Sequence, residues 1–346
     1  IRLGGQHLGG PDQRDRRRAM TPRTTLAIIV VSYKVRELLR ACLAATYASL
    51  ARSPELDGTV WVVDNASGDG SAEMVAAEFP QATLIARQDN LGFAGGNNLA
   101  LAALGFGSDG GSRPDLVLLL NPDAEPLGDA IGQMASYLRA NPRAGGAGAQ
   151  LQYPDGKFQH GAFAFPGLLQ LWFDLFPPRP RRLLDTRLNG RYPRSVYEAG
   201  QPFPIDFALG ASLMVRREAV EAAGLLDDRY FMFAEEVDWC WRIQRAGWPF
   251  YCVPRARVIH HGGASTRQFR SQSMLNLWRS RSRLYGKFYN PAQQRIAARI
   301  VQLGMAAERR RAQAAAQRGE ISAAELVERT ETAAAVSEMF SRKGTP

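Results

Sequence analysis

The sequence predicts an α/β fold, a mostly parallel and doubly wound central sheet with helices on both faces. Three observations predict it. Aliphatic, β-branched runs alternate with stretches of helical spacing through the N-terminal third. One run, Leu116 to Leu120 (LVLLL), is apolar throughout and stops at Asn121-Pro122-Asp123, the pattern of a strand buried on both faces. Polar residues gather just past the strands, at Ser32-Tyr33, Asp64-Asn65 and Asn121-Pro122-Asp123. In open α/β sheets the carboxyl ends of the strands form the ligand crevice, so these groups can converge.

Taken in order, residues 1 to about 23 are rich in Gly and Arg without periodicity and predict a disordered leader, with Met20 a candidate start. Leu26 to Ser32 (LAIIVVS) is the first strand. Arg36 to Leu50 has helical spacing, with Leu39, Cys42, Leu43 and Tyr47 on one stripe. Thr59 to Val63 is a strand, Ser71 to Phe79 a helix and Ala82 to Ala86 a third strand. Asn90 to Asn97 (NLGFAGGN) reads as a Gly-rich turn that opens a helix through Leu104. After the strand before Asp123, a helix runs from Gly128 to about Ala140, and Gly145 to Leu151 is a small-residue strand. Phe207 to Val215 reads as one strand, Arg216 to Ala223 and Phe233 to Ala246 as helices, and Phe250 to Val253 and Ala256 to Ile259 as two short strands. From Ser273 onward the pattern is helical, with residues 295–340 a long surface helix or a helical pair.

The chain has 346 residues, enough for a real core, and 45% hydrophobic against 22% charged residues is ordinary for a globular protein. No apolar run approaches the roughly 20 residues of a membrane span, and the arginines near the N-terminus precede no apolar segment of a secretory signal. Cys42, Cys240 and Cys252 are scattered, without metal-ligand spacing, which fits a reducing cytosol. The net charge of +10 is concentrated: residues 255–287 hold eight Arg and Lys and no acid, and residues 179–194 hold six Arg against Asp185. Such patches attract polyanions, whether nucleic acid, anionic lipid or diphosphates. No standard nucleic-acid motif is present, so specific nucleic-acid binding is not expected.

Several residues carry candidate chemistry, each beside a plainer account. Asp123 at a strand end can hold a divalent cation, while Asn-Pro-Asp is also a turn signature. Asp64 can accept a hydrogen bond from a base and Tyr33 can stack on one; Ser67 and Asp69 suit helix capping. The glycines of Asn90–Asn97 can let backbone amides approach an anion. Glu235, Glu236 and Asp238 suit the positive end of a helix, and Asp238 can pair with Arg242. Crowded among Phe231, Phe233, Trp239 and Trp241, these acids can also be desolvated, which raises a carboxyl pKa toward that of a general base. His260 and His261 end a strand, so one of the two imidazoles can reach a cation beside Asp123.

In this order, VVSYK, VVDNASGDGS, NLGFAGGNN, NPDA, FALGASLMVRREA, FMFAEEVDWCWR and HHGGAST resemble glycosyltransferase family 2, inverting enzymes with the GT-A nucleotide-diphospho-sugar transferase fold. The resemblance spans about residues 25–290. NLGFAGGNN, NPDA, DGKFQH and EEVDWCWR look most like the rhamnosyltransferase branch, which uses dTDP-L-rhamnose in bacterial cell-wall and polysaccharide synthesis; the galactofuranosyltransferases, with UDP-sugars, are the close competitor. The resemblance implies a GT-A domain over 24–290, with a nucleotide-binding half (24–127) and an acceptor and catalytic half (128–290), followed by a helical C-terminal extension over 291–346. It implies donor contacts from Ser32, Tyr33, Asp64, Asn65, Asn90, Gly95, Gly96, Asn121 and Asp123. Mg²⁺ or Mn²⁺ would sit on Asp123 and His260, with Asn121 in place of the usual first acid. Glu236 matches the catalytic base, beside Glu235 and Asp238, and Gly210-Ala211-Ser212 would line the sugar and acceptor pocket. The acceptor would be a glycan or a polyprenyl-diphosphate-linked sugar, at the cytoplasmic face of the membrane. Residues 163–182, aromatic and then basic, can lie on an anionic membrane surface or act as a lid over the core. The helical C-terminus is a candidate dimer interface or membrane-facing element. Readings from other classes are a nucleotide-sugar-binding module without catalysis and a basic nucleic-acid-binding protein.

Overall fold

The structure is a computed structural model that describes residues 23–108, 112–262 and 270–341. The expected leader lies almost wholly outside the described residues, as do Gly263 to Thr266 of the HHGGAST motif.

The central sheet begins with β1 (Thr24–Ser32), β2 (Leu56–Asp64), β3 (Thr83–Ala86) and β4 (Leu116–Leu120), parallel in the order β3-β2-β1-β4. It continues through β11 (Ser212–Arg216), β6 (Gly146–Gln152), β12 (Phe250–His260) and β5 (Ala124–Pro126). Strand β11 runs antiparallel to both β4 and β6, and β12 runs parallel to β6. Strands β3, β2, β1, β4, β6 and β12 therefore share one direction. The period-two alternation explains the doubly apolar β1 and β4. Leu26, Ile28, Val30, Leu116, Leu118 and Leu120 face one core, and Ile29, Val31, Val117 and Leu119 face the other.

The first core is closed by α1 (Arg36–Ala51), α2 (Ser71–Glu78) and α4 (Ala130–Ala140). The second is closed by α3 (Gly92–Ala103), α7 (Arg217–Ala223) and α8 (Glu235–Arg245). A third apolar cluster joins α5 (Leu168–Leu175) to the C-terminal helices α9 (Arg270–Phe288), α10 (Pro291–Gln317) and α11 (Ala323–Met339). Helix α10 starts at a capping box in which the Asn290 side chain accepts from the Ala292 and Gln293 amides. The expected helical pair is α10 and α11, tied by Arg329 and Glu308.

Three segments differ from the sequence expectation. The Phe207–Val215 run breaks into β10 (Phe207–Ala208) and β11, because Leu209–Ala211 form a turn closed by the Ser212 amide on the Leu209 carbonyl. The two short strands expected after Phe250 are one strand, β12, whose register against β6 slips between Val253 and Arg257. Pro254, without an N–H, cannot extend the ladder there. Finally, α3 begins at Gly92, so the Gly-rich segment is the helix's own first turns rather than a preceding loop.

Candidate active site

The parallel register places Ser32 directly opposite Asp64, and the Asn65 amide donates to the Ser32 carbonyl at 2.9 Å. Strand ends that are far apart in sequence thus meet at one edge of the sheet. Asp64 is buried; one carboxylate oxygen accepts from the Ser67 amide at 3.2 Å and Oδ1 has no partner. Asn65 donates to the Gly92 carbonyl at 2.9 Å and leaves Oδ1 unpaired; Ser32 Oγ and Asn97 Oδ1 are likewise buried and unpaired. Unsatisfied buried acceptors cost about 1–3 kcal/mol each, so this group of them beside the strand ends could accept hydrogen bonds from a ligand.

Next along the same edge, Asp123 follows β4 and His260 ends β12. Their register neighbour is Ala124 opposite His260, and the His261 amide donates to the Asp123 carbonyl at 3.0 Å. His260 Nε2 lies 3.4 Å from Asp123 Oδ1 and 3.5 Å from Asn121 Nδ2. On the ring's other side Nδ1 lies 3.2 Å from Gln159 Oε1. Gln159 Oε1 can only accept, so it selects the tautomer protonated at Nδ1 and leaves a lone pair at Nε2. A positive charge between these two buried acceptors, 3.4 Å apart, would satisfy both. Burial works to raise the Asp123 carboxyl, yet the hydrogen bond and charge of His260 outweigh it and hold Asp123 below the usual carboxylate range. The pair therefore fits a hard divalent cation that takes its remaining ligands from water and phosphate oxygens. Among the described residues no group of three or more His, Cys, Asp or Glu comes together as a metal cluster. His261 turns the other way, to Glu125 at 2.8 Å.

The third component is the start of α8. Phe233 and Ala234 both hold left-handed backbone, φ 70° and 64°, and turn the chain so that Glu235 and Glu236 open the helix. Such strain in non-glycine residues persists where the surroundings enforce it and concentrates at functional sites. Both carboxyls are buried, and Oε2 of each is unpaired. Burial pushes Glu236 up to about 7, against the weaker pull of the Glu236 and Val237 amides. Glu235 is raised well above its ordinary value by burial and then by the neighbouring Glu236 charge. Gly210 adjoins: a Cβ built there would lie 3.4 Å from the Phe93 ring and 3.8 Å from Glu236 Cβ.

The family model "Glycosyl transferase family 2" matches residues 27–222, more than half of the chain. A curated relative, the N-acetylglucosaminyl-diphospho-decaprenol L-rhamnosyltransferase of Mycobacterium tuberculosis, is 31% identical over 246 residues, covering 70% of this chain and 77% of its own. This chain belongs to glycosyl transferase family 2. It is a glycosyltransferase, and its fold is GT-A-like. A mannosyltransferase from Pyrobaculum calidifontis, solved with GDP-Man and Mn²⁺, aligns at TM-score 0.51 and 19% identity over 93% of this chain and 87% of that one. GalNAc-T7, solved with UDP, GalNAc and Mn²⁺, aligns at TM-score 0.53 and 12% identity over 80% of this chain and 50% of that one.

Within this family-2 framework the remaining expected site residues make the following contacts. Asp238 points away from Glu236 into an ion cluster, 2.7 Å from Arg242 Nε and 2.6 Å from Lys287 Nζ, so it is a structural anchor rather than a free base. The Ser212 hydroxyl lies 3.9 Å from Met134 Sδ, and Ala211 packs in the same core as Met134. The turn at Leu209–Ala211 interrupts the strand alternation, and Gly210 within it lies beside Glu236. Asn90 accepts from the Gly92 amide at 2.9 Å and so shapes the start of α3. Gly96 is small because a Cβ there would lie 2.7 Å from Val31 Cγ1, and at Gly95 it would lie 2.9 Å from Leu91 Cβ. Gly92, with φ +72°, lets the helix meet the 231 loop: a Cβ would fall 2.0 Å from the Phe231 carbonyl oxygen, to which the Phe93 amide donates. Tyr33 is half-buried beside Lys34, whose ammonium lies 5.2 Å over its ring. Sequence reasoning singled out neither Gln159, the partner of His260, nor Asn97. The signal for Gln159 is the Tyr153–Gly156 turn, which returns the chain as β7 (Phe158–Gln159) along β6, next to the strand that ends in His260.

Proposed function

We propose that this chain transfers L-rhamnose from dTDP-L-rhamnose, with inversion, to a hydroxyl of a glycan or polyprenyl-diphosphate-linked acceptor in bacterial cell-wall or polysaccharide synthesis. The donor and acceptor classes are supported by the 31% identical rhamnosyltransferase. The transfer chemistry rests above all on Glu236, a buried carboxyl raised to about 7 with an unpaired oxygen. Such a group is partly ionised near neutrality and still basic enough to take a proton in the transition state.

In this reading Tyr33, Asp64 and Asn65 hold the base and ribose side of the donor, with Asp64 Oδ1 free to accept from a base N–H. Asp123 and His260 would hold Mg²⁺ or Mn²⁺, and Gln159 would fix the imidazole that presents Nε2. The cation supplies charge neutralisation for a departing diphosphate. Glu236 accepts the proton of the acceptor hydroxyl as that oxygen attacks the anomeric carbon, and a single displacement inverts the centre. The reacting carbon is oxocarbenium-like, as in glycoside hydrolysis. No helix of the described residues is long and apolar enough to cross a membrane. Leu169 and Trp172 of α5 are exposed, at 47% and 41%, close in sequence to Arg179, Arg181 and Arg182, a combination suited to peripheral contact with an anionic surface.

A thermal-shift panel of nucleotide sugars with Mg²⁺, Mn²⁺ or EDTA tests the donor assignment. Stabilisation by dTDP-rhamnose above UDP-galactofuranose and UDP-glucose, lost in EDTA, is the expected result. Preference for a UDP-sugar overturns the rhamnosyl assignment.

A further inference from the structure

Outside the donor crevice the structure holds a cavity of about 910 Å³ between the 229–231 loop, α9 and α11. Its α9 wall is one helical stripe: Gln272, Asn276, Arg279 and Arg283 recur at spacings of four, three and four residues. Among the described residues neither Arg279 nor Arg283 meets a carboxylate; Arg283 lies 5.8 Å over the Tyr230 ring. Arg229, at the rim, is neutralised by Asp227, with contacts of 2.8 and 2.7 Å. The carboxylate lining the cavity is Glu338, on the α11 wall. Phe231, 40% exposed, and Met339 add an apolar side. Two uncompensated guanidiniums facing apolar surface suit a ligand that is a polyanion at one end and a hydrocarbon at the other.

The cavity is coupled to the catalytic helix. Ser280 donates to the Met232 carbonyl at 2.8 Å, and Met232 leads directly into the strained Phe233-Ala234 turn before Glu235. On the other side of that loop the Phe231 carbonyl accepts from α3 at the donor crevice. We propose that this cavity seats the diphosphate of an isoprenoid-linked acceptor, with Arg279 and Arg283 as its ligands and Phe231 and Met339 against the first isoprene units. The proposal rests on the lipid-linked acceptor reading above and adds the residues that would recognise it. The volume exceeds what a diphosphate alone needs and lies within the range of ordinary ligand sites, about 300–1,000 Å³.

The test is direct binding of farnesyl diphosphate to the full chain, with no turnover involved, so a failed donor panel and a failed acceptor site are separate results. Wild type, Arg279→Ala/Arg283→Ala and Arg279→Lys/Arg283→Lys are compared after circular dichroism confirms equal folding. Binding is expected to weaken at least tenfold in the alanine pair and to be largely retained in the lysine pair. Excess dTDP or UDP should not displace the ligand, and farnesol should not bind. Equal affinity of wild type and the alanine pair overturns the proposal, and so does displacement by nucleotide. Vesicles containing phosphatidylglycerol form the second arm. If vesicle binding drops in the alanine pair while farnesyl diphosphate binding does not, the arginines serve lipid headgroups and the acceptor assignment fails.

Discussion

Replacing Glu236 by Gln should make the protein more stable and inactive at once. The carboxyl holds its proton more tightly folded than unfolded, because burial raises it from 4.5 to about 7. Its contribution is therefore neutral below the unfolded value and becomes increasingly unfavourable as pH rises from about 4.5 to about 7. Above that window the cost is about 3 kcal/mol. At an unfolding entropy of about 2.1 cal/mol/K per residue, spread over 346 residues, this corresponds to about 4 °C in Tm. Glutamine keeps the shape and removes the ionisation, so Glu236→Gln should melt about 4 °C higher than wild type near pH 8 and no higher near pH 4. Turnover should fall by about 10²–10⁴-fold, the usual contribution of a positioned base. The wild-type rate should rise with pH up to about 7 and then level, since only the ionised base accepts a proton. Calorimetry at the two pH values and a coupled assay for nucleoside-diphosphate release read both effects. Near-normal turnover in Glu236→Gln, together with its loss in Glu235→Gln, would assign the base to Glu235 and refute the reasoning. An unchanged Tm at the higher pH would show that the carboxyl is not desolvated.

Other substitutions probe separate parts of the argument. Gln159→Leu removes the acceptor that sets the His260 tautomer and should weaken Mn²⁺-dependent donor binding about 10–100-fold in titration calorimetry, with little change in Tm. Gly92→Ala forces a methyl to 2.0 Å from the Phe231 carbonyl at φ +72°; it should lower stability by about 1–3 kcal/mol in urea unfolding and raise the apparent Kd for donor. Asp238→Asn leaves the Arg242 and Lys287 charges half-matched and should cost about 3 kcal/mol, the low end for a broken buried pair because both cations are partly exposed. Leu169→Ser/Trp172→Ser should reduce flotation with anionic liposomes without changing Tm, and equal flotation would remove α5 from any membrane contact.

Much of the fold was legible because its signals are local. Five consecutive apolar residues in β4 and the Asn-Pro-Asp stop locate the strand, and the order of polar strand ends predicts which groups converge; Ser32 opposite Asp64 bears this out. The failures are tertiary. The NLGFAGGN glycines do stand where backbone approaches closely, but their partners, Val31, Leu91 and the Phe231 carbonyl, are set by the tertiary fold. Ser212 lies one step along the strand from Ala211 and two from Gly210, and a break at Leu209–Ala211, invisible to propensity, decides which of them faces Glu236. Gln159 reaches His260 only because β6 pairs with both β7 and β12, a register that no short window contains.

Glu235, Glu236 and Asp238 all suit a first helical turn in sequence, with only the Asp238–Arg242 spacing and the family resemblance to separate them, and the structure gives them opposed physics. The turn at Phe233-Ala234 commits the helix axis, and a step of two residues then swings Asp238 about 200° around it from Glu236. On that side α9 brings Lys287, and Arg242 follows one turn along α8. Asp238 thus sits between two cations in an ion cluster that holds the helix in place. Glu236 is left on the side of Gly210 and Phe93, where no cation among the described residues pairs with it, and burial raises its pKa. The ion cluster that fixes α8 and the desolvation that raises the Glu236 carboxyl are therefore two consequences of one helix orientation. A strained two-residue turn can persist there because the Phe93 amide and the Ser280 hydroxyl, donating to the Phe231 and Met232 carbonyls, clamp the loop before it from both sides.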